Sequence, residues 1–267
     1  MPSRPVTPDT LGPELLLHLD DAGRRALRNE GTAKLGAIAE KLTQYYRALG
    51  ICLLADDLDV DSFFTWLLHS PLAWRHYLVS VGSKGDPEYL AASRVDPLLD
   101  AMAARQWKLA AGIAALTSPT WIEGTEYEDD FCYGDFLRKV VTEDHTGLEA
   151  LLARWEKALE GNADPRLELC RAFQARDAAA FEESLRALLE ATEKKAMEMS
   201  DPIDGTPAAS DPPFMPNRWT SIEGLAWLAA AERAGLTADF EVERCPRAAR
   251  TGHYAYAPRA YPNLPLP

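Results

Sequence analysis

Residues 146–193 read TGLEALLARWEKALEGNADPRLELCRAFQARDAAAFEESLRALLEATE. Leu148, Leu151, Leu152, Trp155 and Leu159 recur at three and four residues, the period of one helix face, and Gly161 and Asn162 end the run. Asp164-Pro165 opens a second helix through Leu169 and Phe173, with proline where a helix has no use for the N–H it lacks. Asp177 caps a third, in which Phe181, Leu185, Leu188 and Leu189 face inward while Glu182, Glu183, Arg186 and Glu193 stay in water. The connections are a few residues long, so these helices pack as antiparallel neighbours. The predicted fold class is all-α: packed antiparallel helical hairpins.

The pattern extends in both directions. Leu35, Ile38, Ala39, Leu42, Tyr45 and Tyr46 predict a helix from Thr32 to near Gly50 or on to Ala55. Another region starts near Asp61 with Phe64, Leu67 and Leu68, breaks at Pro71, resumes with Trp74, Tyr77, Leu78 and Val81, and stops at Gly82. Asp96-Pro97 reads as an N-cap and first helical position. Behind it, Leu99, Met102, Ala103, Leu109, Ala110 and Ile113 make one long helix or two short ones. Thr146 with Glu149, and Thr220 with Glu223, have capping-box spacing, the latter ahead of Leu225, Ala226, Leu228 and Ala229 with Gly235 as the stop. The whole chain, 1–267, is expected to form a single helical domain with three departures. Residues 1–30 read as a less regular N-terminal segment. Residues 200–217, with Pro202, Pro207, Pro212, Pro213 and Pro216, read as a proline-rich loop. Residues 244–267 carry Arg244, Arg247, Arg250 and Arg259 without an acid, and read as a basic extended tail that docks on the acidic body.

A net charge of −13 over 267 residues argues against nucleic-acid binding, for which a basic surface is expected. No apolar run approaches the roughly 18–20 residues that span a bilayer, and Leu15 to Leu17 is too short for a signal segment. The expectation is a cytoplasmic protein without membrane contact. Cys52, Cys132, Cys170 and Cys245 lie far apart and read as small core hydrophobes.

Enzymatic motifs fail on inspection. Asp57, Asp59 and Asp61 open like a calcium loop, but Ser62 and Leu68 stand where glycine and glutamate are needed, which leaves a helix cap. Gly82-Ser83-Lys84-Gly85 lacks the strand and spacing of a phosphate loop. His18, His69, His76, His145 and His253 show no metal-binding spacing, and no nucleophile elbow is present. The expectation is a non-enzyme with no cofactor and no metal.

One segment departs from ordinary helix chemistry. Residues 121–136 read WIEGTEYEDDFCYGDF, with six carboxylates, no base and an aromatic every few positions. Acids at 128–130 would favour the positive end of a helix running to about Val141, with Phe131, Phe136 and Val140 in the core. Their number exceeds what capping needs, and carboxylates interleaved with tyrosines also suit capture of a basic partner. The candidate partner-binding residues are Glu123, Glu126, Tyr127, Glu128, Asp129, Asp130, Tyr133 and Asp135, with the two tyrosines as anchors if exposed.

Glu126-Tyr127-Glu128-Asp129-Asp130-Phe131, followed by Tyr133 and Phe136-Leu137, resembles the acidic-aromatic helix of the immunity protein 49 family. Arg176-Asp177 ahead of Phe181, Leu185 and Leu188, then Ile222 to Gly235 and Cys245-Pro246, is similar as well, so the resemblance covers about residues 95–250. It implies an all-helical antitoxin of bacterial polymorphic-toxin systems. Such a protein neutralises a cognate toxin encoded beside it, here expected to be a basic nuclease or another cytoplasm-acting enzyme. The competing class is a helical scaffold of the tetratricopeptide kind, against which the missing 34-residue repeat counts.

Overall fold

The computed structural model describes residues 7–27, 32–200, 215–236 and 240–250, and among them every regular element is helical. Three long helices come first: α1 (Pro8–Leu27), α2 (Thr32–Asp57) and α3 (Val60–Val81). Short helices follow: α4 (Pro87–Leu90), α5 (Asp96–Ala103) and α6 (Trp107–Ala114). The remainder comprises α7 (Glu128–Thr142), α8 (Leu148–Ala158), α9 (Pro165–Ala175), α10 (Ala178–Ser200), α11 (Ile222–Arg233) and α12 (Arg247–Arg250).

The N-terminal segment is more regular than the sequence reading expects. α1 runs for 20 residues because Leu11, Leu15, Leu19 and Ala22 line one face, which α2 covers with Ile38, Leu42, Tyr45 and Leu49. Leu15 to Leu17 alone looks too short to matter; the stripe is visible only at four-residue spacing. α3 is also unbroken at Pro71. A proline inside a helix costs about 3 kcal/mol. Phe63, Phe64, Leu67 and Leu68 before it and Trp74, Leu78 and Val81 after it are all buried, and that packing holds the helix through. Only Leu58 and Asp59 separate α2 from α3, so the pair folds back as an antiparallel hairpin.

The largest core joins α3, α5, α7, α8, α9, α10 and α11 around Phe136, Trp155, Phe181 and Trp227. Trp227 meets Phe173 edge-on at 5.3 Å between ring centres. The four cysteines are free and buried, and burial pushes the thiols of Cys52, Cys132 and Cys245 up to about 12. Cys170 is raised well above its ordinary value for the same reason, so none is a thiolate at neutral pH.

Side-chain caps start five of the described helices. Asp59, Asp86, Asp164 and Ser221 each accept from a backbone N–H in the first turn, and Asp177 accepts from Ala179 and Ala180, each at 3.1 Å. The two expected capping boxes do not form. Gly147, at φ +69°, starts α8, while the Thr146 N–H and hydroxyl donate to Asp144 Oδ1 at 2.9 and 2.6 Å. At α11 the cap is Ser221 rather than Thr220, which leaves Glu223 free for a tertiary role. Asp96 likewise lies inside α5 and pairs with Arg47 at 2.9 Å instead of capping.

The proline-rich stretch lies outside the described residues from 201 to 214, beyond which Met215–Arg218 forms a 3-10 turn. The C-terminal tail from 251 onward lies outside them as well. Its first part is not extended: it holds α12, and Arg244 donates to Asn217 O at 3.2 Å and Thr192 Oγ1 at 3.1 Å. Arg250 donates to Phe240 O at 2.8 Å. These contacts hold residues 244–250 against the body.

Candidate functional site

The acidic-aromatic segment divides at residue 127 into a knotted loop and the start of α7. In the loop, Glu126 accepts from the Ile122 N–H at 3.1 Å and from the Ser93 N–H at 2.9 Å. Its carbonyl accepts from the Trp121 indole at 3.0 Å. A residue expected to meet a partner therefore also fastens the loop to the turn before α5. Glu123 is exposed, and Tyr127 stands in solvent at 79% exposure immediately before the helix.

The first turn of α7 carries Glu128, Asp129 and Asp130, all partly exposed, where the positive end of the helix favours them. Glu128 accepts from Arg154 at 2.6 Å, and the same guanidinium lies 4.9 Å from the Phe131 ring centre. Asp129 carries no hydrogen bond or ion pair among the described residues. Asp130 has one ion pair among the described residues, with Arg166 at 4.0 Å, and the charge of Lys195 acts on it from further away. Burial, and then the like charge of Asp129, raises the Asp130 carboxyl above its ordinary range.

Tyr133 and Asp135 are not on this surface. Tyr133 is 1% exposed: its hydroxyl donates to Glu223 at 2.6 Å and accepts from the Trp227 indole at 3.1 Å. Arg166 closes the cluster, donating to Glu223 through Nε at 2.8 Å while lying 4.7 Å from the Tyr133 ring centre. Asp135 is buried against Arg138, whose Nε donates to it at 2.7 Å. Both point inward because α7 is flanked on several sides, and the turn from Phe131 to Leu137 is buried all round. Of the two tyrosines expected as anchors if exposed, Tyr133 is buried and Tyr127 is exposed.

Behind the exposed turn opens a cleft of about 360 Å³, bounded by α2, the α4–α5 turn, α7 and α9. No local pattern marks its far wall, because Glu40, Glu88, Arg94, Asp96 and Arg166 are scattered through the chain. Arg94 holds both Glu40 and Glu88, the latter at 2.6 Å. Gly134 lets α7 close on this wall: a Cβ there would stand 2.1 Å from the Ala92 carbonyl oxygen.

Among the described residues, no helix is long and apolar enough to cross a membrane, and no three metal-ligating side chains gather. The geometry is that of an all-helical protein presenting an acidic, incompletely paired rim around one exposed tyrosine. Comparison with protein families specifies it further: the chain matches the model of Immunity protein 49 over residues 38–249, and it belongs to that family. The match reaches back into α2, well ahead of the stretch that carries the resemblance in the sequence. No significant match exists among curated proteins or solved structures. Family membership makes this an immunity protein, whose partner is a cognate toxin and whose role is generally not enzymatic.

Proposed function

We propose that the protein neutralises its toxin by binding it through the outer rim of the acidic segment, with Glu123, Tyr127, Asp129 and Asp130 in contact and Glu126 and Glu128 holding the rim in shape. The observation that carries this reading is Tyr127, a large aromatic left 79% exposed two and three residues before Asp129 and Asp130, the carboxylates least paired among the described residues. Aromatic side chains that lose water at an interface centre usually contribute more than rim charges, while the charges set approach and orientation. A toxin with a basic catalytic groove, a nuclease above all, fits best, because carboxylates there would replace the phosphates the groove is built to hold. The site of action is then the cytoplasm, and the toxin is the product of the neighbouring gene.

The test is association of the purified toxin domain with Asp129→Lys, Asp130→Lys and with Tyr127→Ala. The charge reversal is expected to slow association and flatten its salt dependence, and the tyrosine change to speed dissociation. Unaltered binding by both folded variants would move the interface elsewhere.

A further inference from the structure

We infer that the cleft behind the rim is a socket for one arginine side chain of the toxin. This rests on the immunity reading and extends it from a surface to a recognition pocket. Its volume of about 360 Å³ lies within the ~300–1,000 Å³ usual for sites that enclose a small group. Five carboxylates line it (Glu40, Glu88, Asp96, Glu126 and Asp130) against the guanidinium groups of Arg94 and Arg166.

The charges are unequally used. Glu126 is filled by two backbone N–H groups, Asp96 by Arg47, and Glu40 and Glu88 share Arg94. Asp130 is left with a 4.0 Å contact to Arg166, which is itself engaged with Glu223. Burial raises both Glu40 and Asp130 above the ordinary carboxylate range, with neighbouring carboxylates adding to the effect and Arg94 and Arg166 opposing it.

A second feature is independent of charge. Trp74 lines the cleft, is 1% exposed, and its indole N–H has no acceptor among the described residues. A buried donor without a partner is unfavourable, because it has given up water for nothing. An occupant must therefore bring a cation for the carboxylates and an acceptor for this N–H. A basic residue with its own backbone carbonyl supplies both. Arginine suits the site better than lysine because its planar fork pairs with carboxylates through several N–H donors at once, whereas an ammonium acts as a point charge. Tyr127 belongs to the same lining and is exposed, so a toxin chain seated on it has a neighbouring residue positioned over the opening.

The experiment titrates the intact protein with acetyl-arginine methylamide while following the Trp74 indole N–H by NMR, with acetyl-lysine and acetyl-alanine methylamides alongside. The expected result is a saturable shift with the arginine probe, weakened about tenfold by Glu40→Gln combined with Asp130→Asn. Toxin affinity should fall by a similar factor in that variant. Thr125→Arg, a change at an exposed lining position that leaves the core intact, should block the probe by supplying a guanidinium from within. No saturable shift, or an equal response to the lysine or alanine probe, overturns the socket. Normal toxin binding by both cleft variants, with Asp129→Lys still impaired, also overturns it and leaves the immunity reading standing. Failure of the wild-type protein to bind the toxin removes both.

Discussion

Arg47 and Asp100 meet at 2.7 Å in the interior, whereas Arg166 and Asp130 stand 4.0 Å apart at the mouth of a cleft. In the first contact nothing is left over. Asp100 is fully buried, takes Arg47 on one oxygen and the Ser70 hydroxyl on the other, and so ties α2, α3 and α5 together. Although burial opposes the charge of Arg47, Asp100 and Asp96 keep it protonated. In the second contact, Arg166 is committed to Glu223, and Asp130 keeps a side chain 47% exposed with unused acceptors. The same two residue types thus serve opposite ends. A carboxylate with every oxygen filled fastens the fold, and one left partly unfilled beside an opening is available to a partner.

The strongest way to break this contrast is Asp100→Ala. Removing one member strands Arg47 in the interior with Asp96 alone, and the expected loss is about 3–5 kcal/mol, read from the urea midpoint. A loss near zero would show that the buried pair does not hold the three helices.

A pH series sharpens the same point. Burial, only partly countered by Arg47, lifts the Asp100 carboxyl from 3.8 to about 6. A group whose folded pKa lies above its unfolded value binds its proton more tightly in the folded state. Its contribution is therefore greatest at low pH and declines as pH rises from 3.8 to about 6. The stability advantage of the wild type over Asp100→Asn should shrink across that window and be flat above it. A constant difference would show that Asp100 titrates normally.

Gly134→Ala acts on the wall between the two regions. Its new methyl would overlap the Ala92 carbonyl, which as backbone cannot swing aside, so α7 must shift. We expect a cost of about 1–3 kcal/mol in thermal or denaturant unfolding, with weaker toxin binding as the cleft widens. The smallest effect on the fold belongs to Asp130→Asn. Its stability should remain within about 0.5 kcal/mol of wild type, since no filled hydrogen bond is lost. Toxin association should nonetheless slow. A large stability loss there would make Asp130 structural and erase the contrast.

Much of the fold was legible because helix period and caps are local. The Leu148–Ala158, Pro165–Ala175 and Ala178–Ser200 helices, the Asp164 and Asp177 caps, and the stop at Gly82 all follow from residues within a turn or two. The failures share one cause, tertiary contact overriding a local rule. Pro71 continues α3 because both flanks are packed, and α1 forms because α2 covers its leucine stripe. Glu223, a capping residue by spacing, is taken by Tyr133 and Arg166 from two other helices.

The candidate site shows the same division within one stretch of sequence. The chain by itself determined that residues 121–136 would hold acids and aromatics and start a helix near Glu128, because composition and first-turn chemistry need no distant partner. Only the tertiary structure decided that Tyr127 faces water while Tyr133 and Asp135 turn inward, and that Glu40, Glu88 and Asp96 complete a cleft with Asp130. The reason is that burial and unpaired charge belong to an arrangement of several helices. Any one helix carries its residues in fixed order, but which of them are left in water depends on where its neighbours come to rest.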